Sequence, residues 1–158
     1  MERDGRATYT VGYAALGRRL AQEYPPGYYG EMTTREITVE NLNETITGND
    51  VVLLDFWAAW CGPCRAFGPV FERASEANPD IVFGKIDTEA QRELAAGFRI
   101  SSIPTLMAFR EGVLVFAQPG ALNASQLGSV LEGVKDLDMD AVRAQLAEQQ
   151  LSAAQTSR

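Results

Sequence analysis

The only two cysteines in this chain stand two residues apart, in Trp60-Cys61-Gly62-Pro63-Cys64, just after the apolar run Val51 to Trp57. A near-continuous apolar run of that length reads as a central strand buried on both faces. If a helix then begins near Gly62, Cys61 sits at its N-terminus and Cys64 one turn inside. Unpaired N–H groups and the positive end of the helix dipole favour a thiolate there, and the thiolate is the form that attacks disulfides. Residues three apart share a helix face, so the Cys64 sulfur can reach back to Cys61 and close a small ring. Pro63 suits a first helical turn, and Gly62 lets a substrate backbone approach closely. The pair reads as a reversible dithiol.

Two plainer readings compete with it. A structural disulfide closing so short a loop removes little entropy from the unfolded chain. A zinc site needs about four ligands, and two thiols with no histidine do not supply them. Neither accounts for the spacing as well. Asp55 is a second anomaly, a carboxylate between Leu54 and Phe56 where burial without a partner is costly. Trp60 directly precedes Cys61 where the chain leaves the strand, which assigns it to a docking rim rather than the core.

The run from Val51 to Arg65 resembles the central strand, active site and second-helix start of the thioredoxin family, and the resemblance extends over roughly Glu36 to Lys135. Pro69 matches the family's kinking proline inside the helix, so it is read as a kink and not a terminus. Ile103-Pro104-Thr105 is similar to the family's cis-proline loop. Gly112 and Gly120 fall where the family has glycines around its last hairpin. The resemblance implies that Cys61 is the nucleophile and Cys64 the resolving thiol. Asp55 would serve Cys64 as a proton acceptor, its pKa raised by desolvation, with Lys85 tuning its charge. It further implies a substrate rim of Trp60, Gly62, Pro63, Ile103, Pro104 and Gly120, on which an extended peptide docks like an added strand.

All five tyrosines precede Met32, and the four basic and four acidic residues before it balance, so residues 32–158 carry the whole net charge of -7. Residues 1–31 read as a weakly ordered extension without an apolar stretch long enough for a secretory signal. Met32 followed by Thr33-Thr34-Arg35-Glu36-Ile37 resembles a family start, and the resemblance implies that residues 1–31 are an upstream choice of start. Residues 32–136 are the expected thioredoxin domain. Within it, strands are expected at Glu36 to Val39, Val51 to Trp57 and Ile81 to Ile86, with helices at Val39 to Ile46, from Gly62, and at Glu89 to Ala96. A hairpin follows, Thr105 to Arg110 and Val113 to Gln118 joined at Glu111-Gly112. Asn123 caps a helix through Leu127, Leu131 and Val134. The fold class is α/β, a central mixed sheet flanked by helices on both faces. Residues 137–150 form an added amphipathic helix through Met139, Val142 and Leu146, and residues 151–158 a disordered tail.

The reading is a protein-disulfide reductase with no bound cofactor, its Cys61-Cys64 disulfide recycled by thioredoxin reductase; NADPH and FAD belong to that partner. Family members that oxidise or isomerise often carry a histidine between the cysteines, so the resemblance, with Gly-Pro there and no histidine anywhere, implies a reductant and not an oxidant. Two lysines and a pI near 4.6 offer no basic face for nucleic acid, and no stretch suits a membrane. A cytoplasmic monomer acting on protein disulfides is expected. The rival is a binding or chaperone subunit of the same fold whose dithiol is incidental, and a periplasmic reductant would need an export signal.

Overall fold

The structure, a computed structural model, describes residues 33–156. The reading of residues 1–31 lies outside them. Five strands, β1 (Thr34–Glu36), β2 (Val51–Trp57), β3 (Val82–Asp87), β4 (Thr105–Arg110) and β5 (Val113–Pro119), form one sheet in the order β1-β3-β2-β4-β5. β1, β3 and β2 are parallel, while β4 and β5 run antiparallel. The helices are α1 (Leu42–Thr47), α2 (Gly62–Ala77), α3 (Arg92–Gly97), α4 (Ala124–Lys135) and α5 (Met139–Thr156). This is the mixed, doubly covered sheet expected.

Alternation along β2 divides the core. Val51 and Leu53 pack with Phe67 and Phe71 of α2 and Leu127 and Leu131 of α4, whereas Val52, Leu54 and Phe56 pack on the other face with Leu42 of α1 and Leu94 of α3. A strand buried on both sides tolerates no polar alternation, which is why Val51–Trp57 reads as a continuous apolar run. β3 fits beside it because Gly84 has no side chain: a Cβ there would lie 2.5 Å from Ile37 Cγ1 and 2.8 Å from Leu54 Cδ2. α2 begins at Gly62, as expected, and continues through Pro69 to Ala77.

Three elements start two or three residues from the expected positions, each for a local reason, while β3 and the end of β5 are shifted by one. β1 lies two residues earlier, since pairing with β3 involves Thr34–Glu36 and ends as the Ile37 N–H reaches the Lys85 carbonyl at 2.9 Å. The Asn41 side chain accepts the Thr38 N–H at 2.9 Å and donates to the Glu36 carbonyl at 3.0 Å, so residues 38–41 form a turn and α1 starts only at Leu42. Asp87 accepts the N–H groups of Glu89 and Ala90, which delays α3 to Arg92.

The expectation of a tail disordered from residue 151 is corrected: α5 runs to Thr156, across Leu151, Ala153, Ala154 and Gln155, good helix formers uninterrupted by Gly or Pro. In its first turn Met139 is buried and Val142 half-buried, while further along Leu146 and Leu151 are exposed. Arg110 ties this end down. Its Nη1 donates to the carbonyls of Val134 at 2.8 Å and Leu137 at 3.0 Å and to that of Lys135. Arg143 of α5 is ion-paired with Glu111 in the β4–β5 turn.

Candidate active site

The dithiol sits where β2 gives way to α2. Cys61 is the N-cap residue of α2, with extended backbone (φ -82°, ψ 111°), and its Sγ accepts the Cys64 N–H at 3.2 Å. The sulfur therefore occupies the place a capping oxygen takes, and shares the field of the helix N-terminus. Cys61 and Cys64 are joined as a disulfide, their Cα atoms 5.2 Å apart. Both are 4% exposed and cluster with Ala58, Trp57 and Ile103. Gly62 and Pro63 are exposed beside them, and Trp60 is 66% exposed.

The loop before β4 completes the edge. The Ile103–Pro104 peptide is cis, and the Ile103 carbonyl oxygen lies 3.7 Å from Cys61 Sγ. The Pro104 carbonyl accepts the Gly120 N–H at 2.8 Å, and Gly120 has a φ of +101°, a conformation few side chains tolerate. Trp60, Gly62, Pro63, Ile103, Pro104 and Gly120 thus lie on the three chain segments that meet at the dithiol.

Asp55 is fully buried, and neither carboxylate oxygen has a hydrogen-bond partner among the described residues. Burial pushes its pKa up to about 7, the Lys85 charge pulling the other way. Lys85 is its register partner on β3. The ammonium is 4.8 Å from the centroid of the Trp57 ring. Glu89 carries no sequence signal of a part in this site. Glu89 Oε1 accepts the Trp60 indole N–H at 3.1 Å, and Arg92 lies 3.7 Å from the same carboxylate. The Trp60–Glu89 bond joins residues nearly thirty positions apart, which no local pattern encodes.

Closing the disulfide joins two positions of one helical turn, so the bond can form and break while the sheet beneath stays as it is. Two electrons exchanged at such a pair is the chemistry of a thiol-disulfide oxidoreductase.

The comparisons agree. The thioredoxin family profile matches residues 33–133. A putative thioredoxin 2 of Streptomyces coelicolor is 62% identical over 121 residues, 77% of this chain and 90% of the relative. A thioredoxin of Alicyclobacillus acidocaldarius is 40% identical, covering 63% of this chain and 99% of its own length. Among solved structures, a mutant thioredoxin of Halobacterium salinarum superposes with a TM-score of 0.62 at 31% identity, covering 67% of this chain and 95% of that one. The chain belongs to the thioredoxin family. Its activity is thioredoxin-like disulfide reduction, and the incidental-dithiol reading is not favoured. Among the described residues no helix is long and apolar enough to cross a membrane.

Proposed function

We propose that Cys61 is the attacking and Cys64 the resolving thiol of a protein-disulfide reductase. The observation that carries this assignment is the capping geometry: the Cys64 N–H points at Cys61 Sγ from 3.2 Å, an interaction that stabilises negative charge on that sulfur. The Cys61 thiolate attacks one sulfur of a substrate disulfide, breaking the S–S bond and expelling the other sulfur as a thiolate. Cys64 then attacks Cys61 Sγ, breaks the mixed disulfide and releases the second substrate thiolate. Two electrons pass to the substrate, and the Cys61–Cys64 disulfide is left behind. Asp55, with a pKa of about 7, takes the Cys64 proton as it attacks, and Lys85 stabilises the carboxylate that forms.

Trp60, Gly62, Pro63, Ile103, Pro104 and Gly120 form the substrate rim. The Ile103 backbone beside Cys61 offers hydrogen bonds to an extended segment. Family membership points to thioredoxin reductase as the electron donor. We read that partner as the holder of NADPH and FAD, and this chain as a cytoplasmic monomer in its electron-transport chain. Residues 1–31 are an appendage to a catalytic domain of residues 32–136.

Equilibration of the pair against a glutathione or dithiothreitol series tests the direction of electron flow. A reduction potential near -270 mV, about that of thioredoxin, is expected; one near -120 mV, as in a strong oxidant, would make the protein a donor of disulfides.

A further inference from the structure

The rim differs in charge from the rest of the molecule. Residues 32–158 carry -7, yet the three segments that meet at the dithiol contain no acidic residue. From Phe56 to Phe71 the one charged side chain is Arg65; from Leu94 to Phe109 it is Arg99; from Gly112 to Leu131 there is none. These stretches hold the rim together, through the contact of Ile103 with Cys61 and the bond from Gly120 to Pro104. Arg65 follows Cys64 directly, its N–H bonded to the Cys61 carbonyl at 3.2 Å. Both arginines are exposed, and neither is ion-paired to a carboxylate among the described residues. Glu89, which the Trp60 indole bonds, is also paired with Arg92.

Arg99 has a second peculiarity. It stands one residue past the C-cap of α3 with φ 54°, where the Arg99 N–H reaches the Ala96 carbonyl at 3.0 Å and the Ile100 N–H the Ala95 carbonyl at 2.9 Å. Glycine is the default residue for that left-handed position, because a Cβ is strained there. An arginine is held in the strained conformation at the entrance to the cis-proline loop, which is where stored strain accompanies function.

We propose that the rim selects disulfides flanked by acidic side chains, with Arg65 and Arg99 as the residues that set the preference. The inference rests on the reductase reading. The net negative charge of residues 32–158 repels such a partner as a whole, so two arginines beside the dithiol orient the partner as well as attracting it.

The test uses the full chain, reduced with dithiothreitol, and two disulfide peptides identical except for aspartate or lysine beside each cysteine. Each rate is divided by the peptide's rate with dithiothreitol alone, which removes the peptide's intrinsic reactivity. The aspartate peptide is expected to react about tenfold faster at low salt, the ratio falling toward one at about 1 M salt. In Arg65→Gln/Arg99→Gly the low-salt ratio falls toward one; glycine suits position 99, so the variant is not at risk of misfolding there, and any change in thiolate reactivity cancels in the ratio. Equal rates, a lysine preference, or a ratio unchanged in the variant would overturn the proposal. Failure of the unaltered chain to reduce either peptide or bis(2-hydroxyethyl) disulfide would instead overturn the reductase reading.

Discussion

Lys85 is the register partner of Asp55 across the β2–β3 pairing, yet its ammonium is seated over the Trp57 ring and both Asp55 oxygens remain without a hydrogen-bond partner among the described residues. The acid is kept near a neutral pKa because it is desolvated and only partly compensated. A direct ion pair would hold the carboxylate ionised and deprive it of a proton-accepting role near pH 7.

Asp55→Asn should make the protein more stable at high pH. The folded pKa of about 7 lies above the unfolded value of about 4, so between the two the native state binds more protons and stability falls as pH rises. Below both values the acid has no effect; above both it costs on the order of 4 kcal/mol. Thermal melts of the variant should show a gain at pH 8 that shrinks by pH 4, and a gain independent of pH would contradict the shift.

The same substitution should slow resolution of the mixed disulfide. In the native protein the rate of Cys64 attack rises through about pH 7, and Asp55→Asn should remove that inflection and lower the rate at pH 7 by about a hundredfold. Stopped-flow tryptophan fluorescence across pH 5–9 follows it, Trp57 lying against the dithiol cluster.

Cys64→Ser should accumulate a covalent adduct with a protein disulfide substrate, visible as a mass increase under non-reducing conditions, because the second attack is removed. Cys61→Ser should give none. The reverse pattern would exchange the two roles.

Gly84→Ala should cost about 3 kcal/mol, since its Cβ would stand 2.5 Å from Ile37 and 2.8 Å from Leu54, both fully buried. A urea melt with an unchanged midpoint would show that this layer yields more readily than its packing implies.

Arg110→Gln should loosen the C-terminal end of the described domain. Three carbonyls at the end of α4 and in the link to α5 lose a charged donor, at a cost of about 2 kcal/mol. Amide exchange at Asp140 to Arg143 should speed up while β2 keeps its protection.

Sequence patterns reveal the elements whose cause is local. Val51–Trp57 reads as a strand because burial on both faces demands apolar residues without alternation, and Gly62 as a helix start because Pro63 and the capping cysteine follow one another in the chain. The Asn123 cap is legible for the same reason: its side chain and Gln126 satisfy each other's backbone within one turn. α1 and α3 each start three residues later than expected because turns made by Asn41 and Asp87 take up their expected first turns.

What the sequence by itself determined is the chemistry: a dithiol with helix-start spacing, an acid out of pattern on the strand before it, and a family resemblance that supplied the cis-proline. Only the tertiary structure decided how those groups are tuned. The pKa of Asp55 depends on how completely α2 and the sheet exclude water from it, and the setting of Lys85 depends on the Trp57 ring. The pairing of Trp60 with Glu89 and the meeting at the dithiol of the segments that carry Arg65 and Arg99 likewise require distant parts of the chain to come together. Bonding preferences are properties of neighbours along the chain, whereas dielectric and charge environment are properties of what packs around a group, and those exist only once the chain has folded.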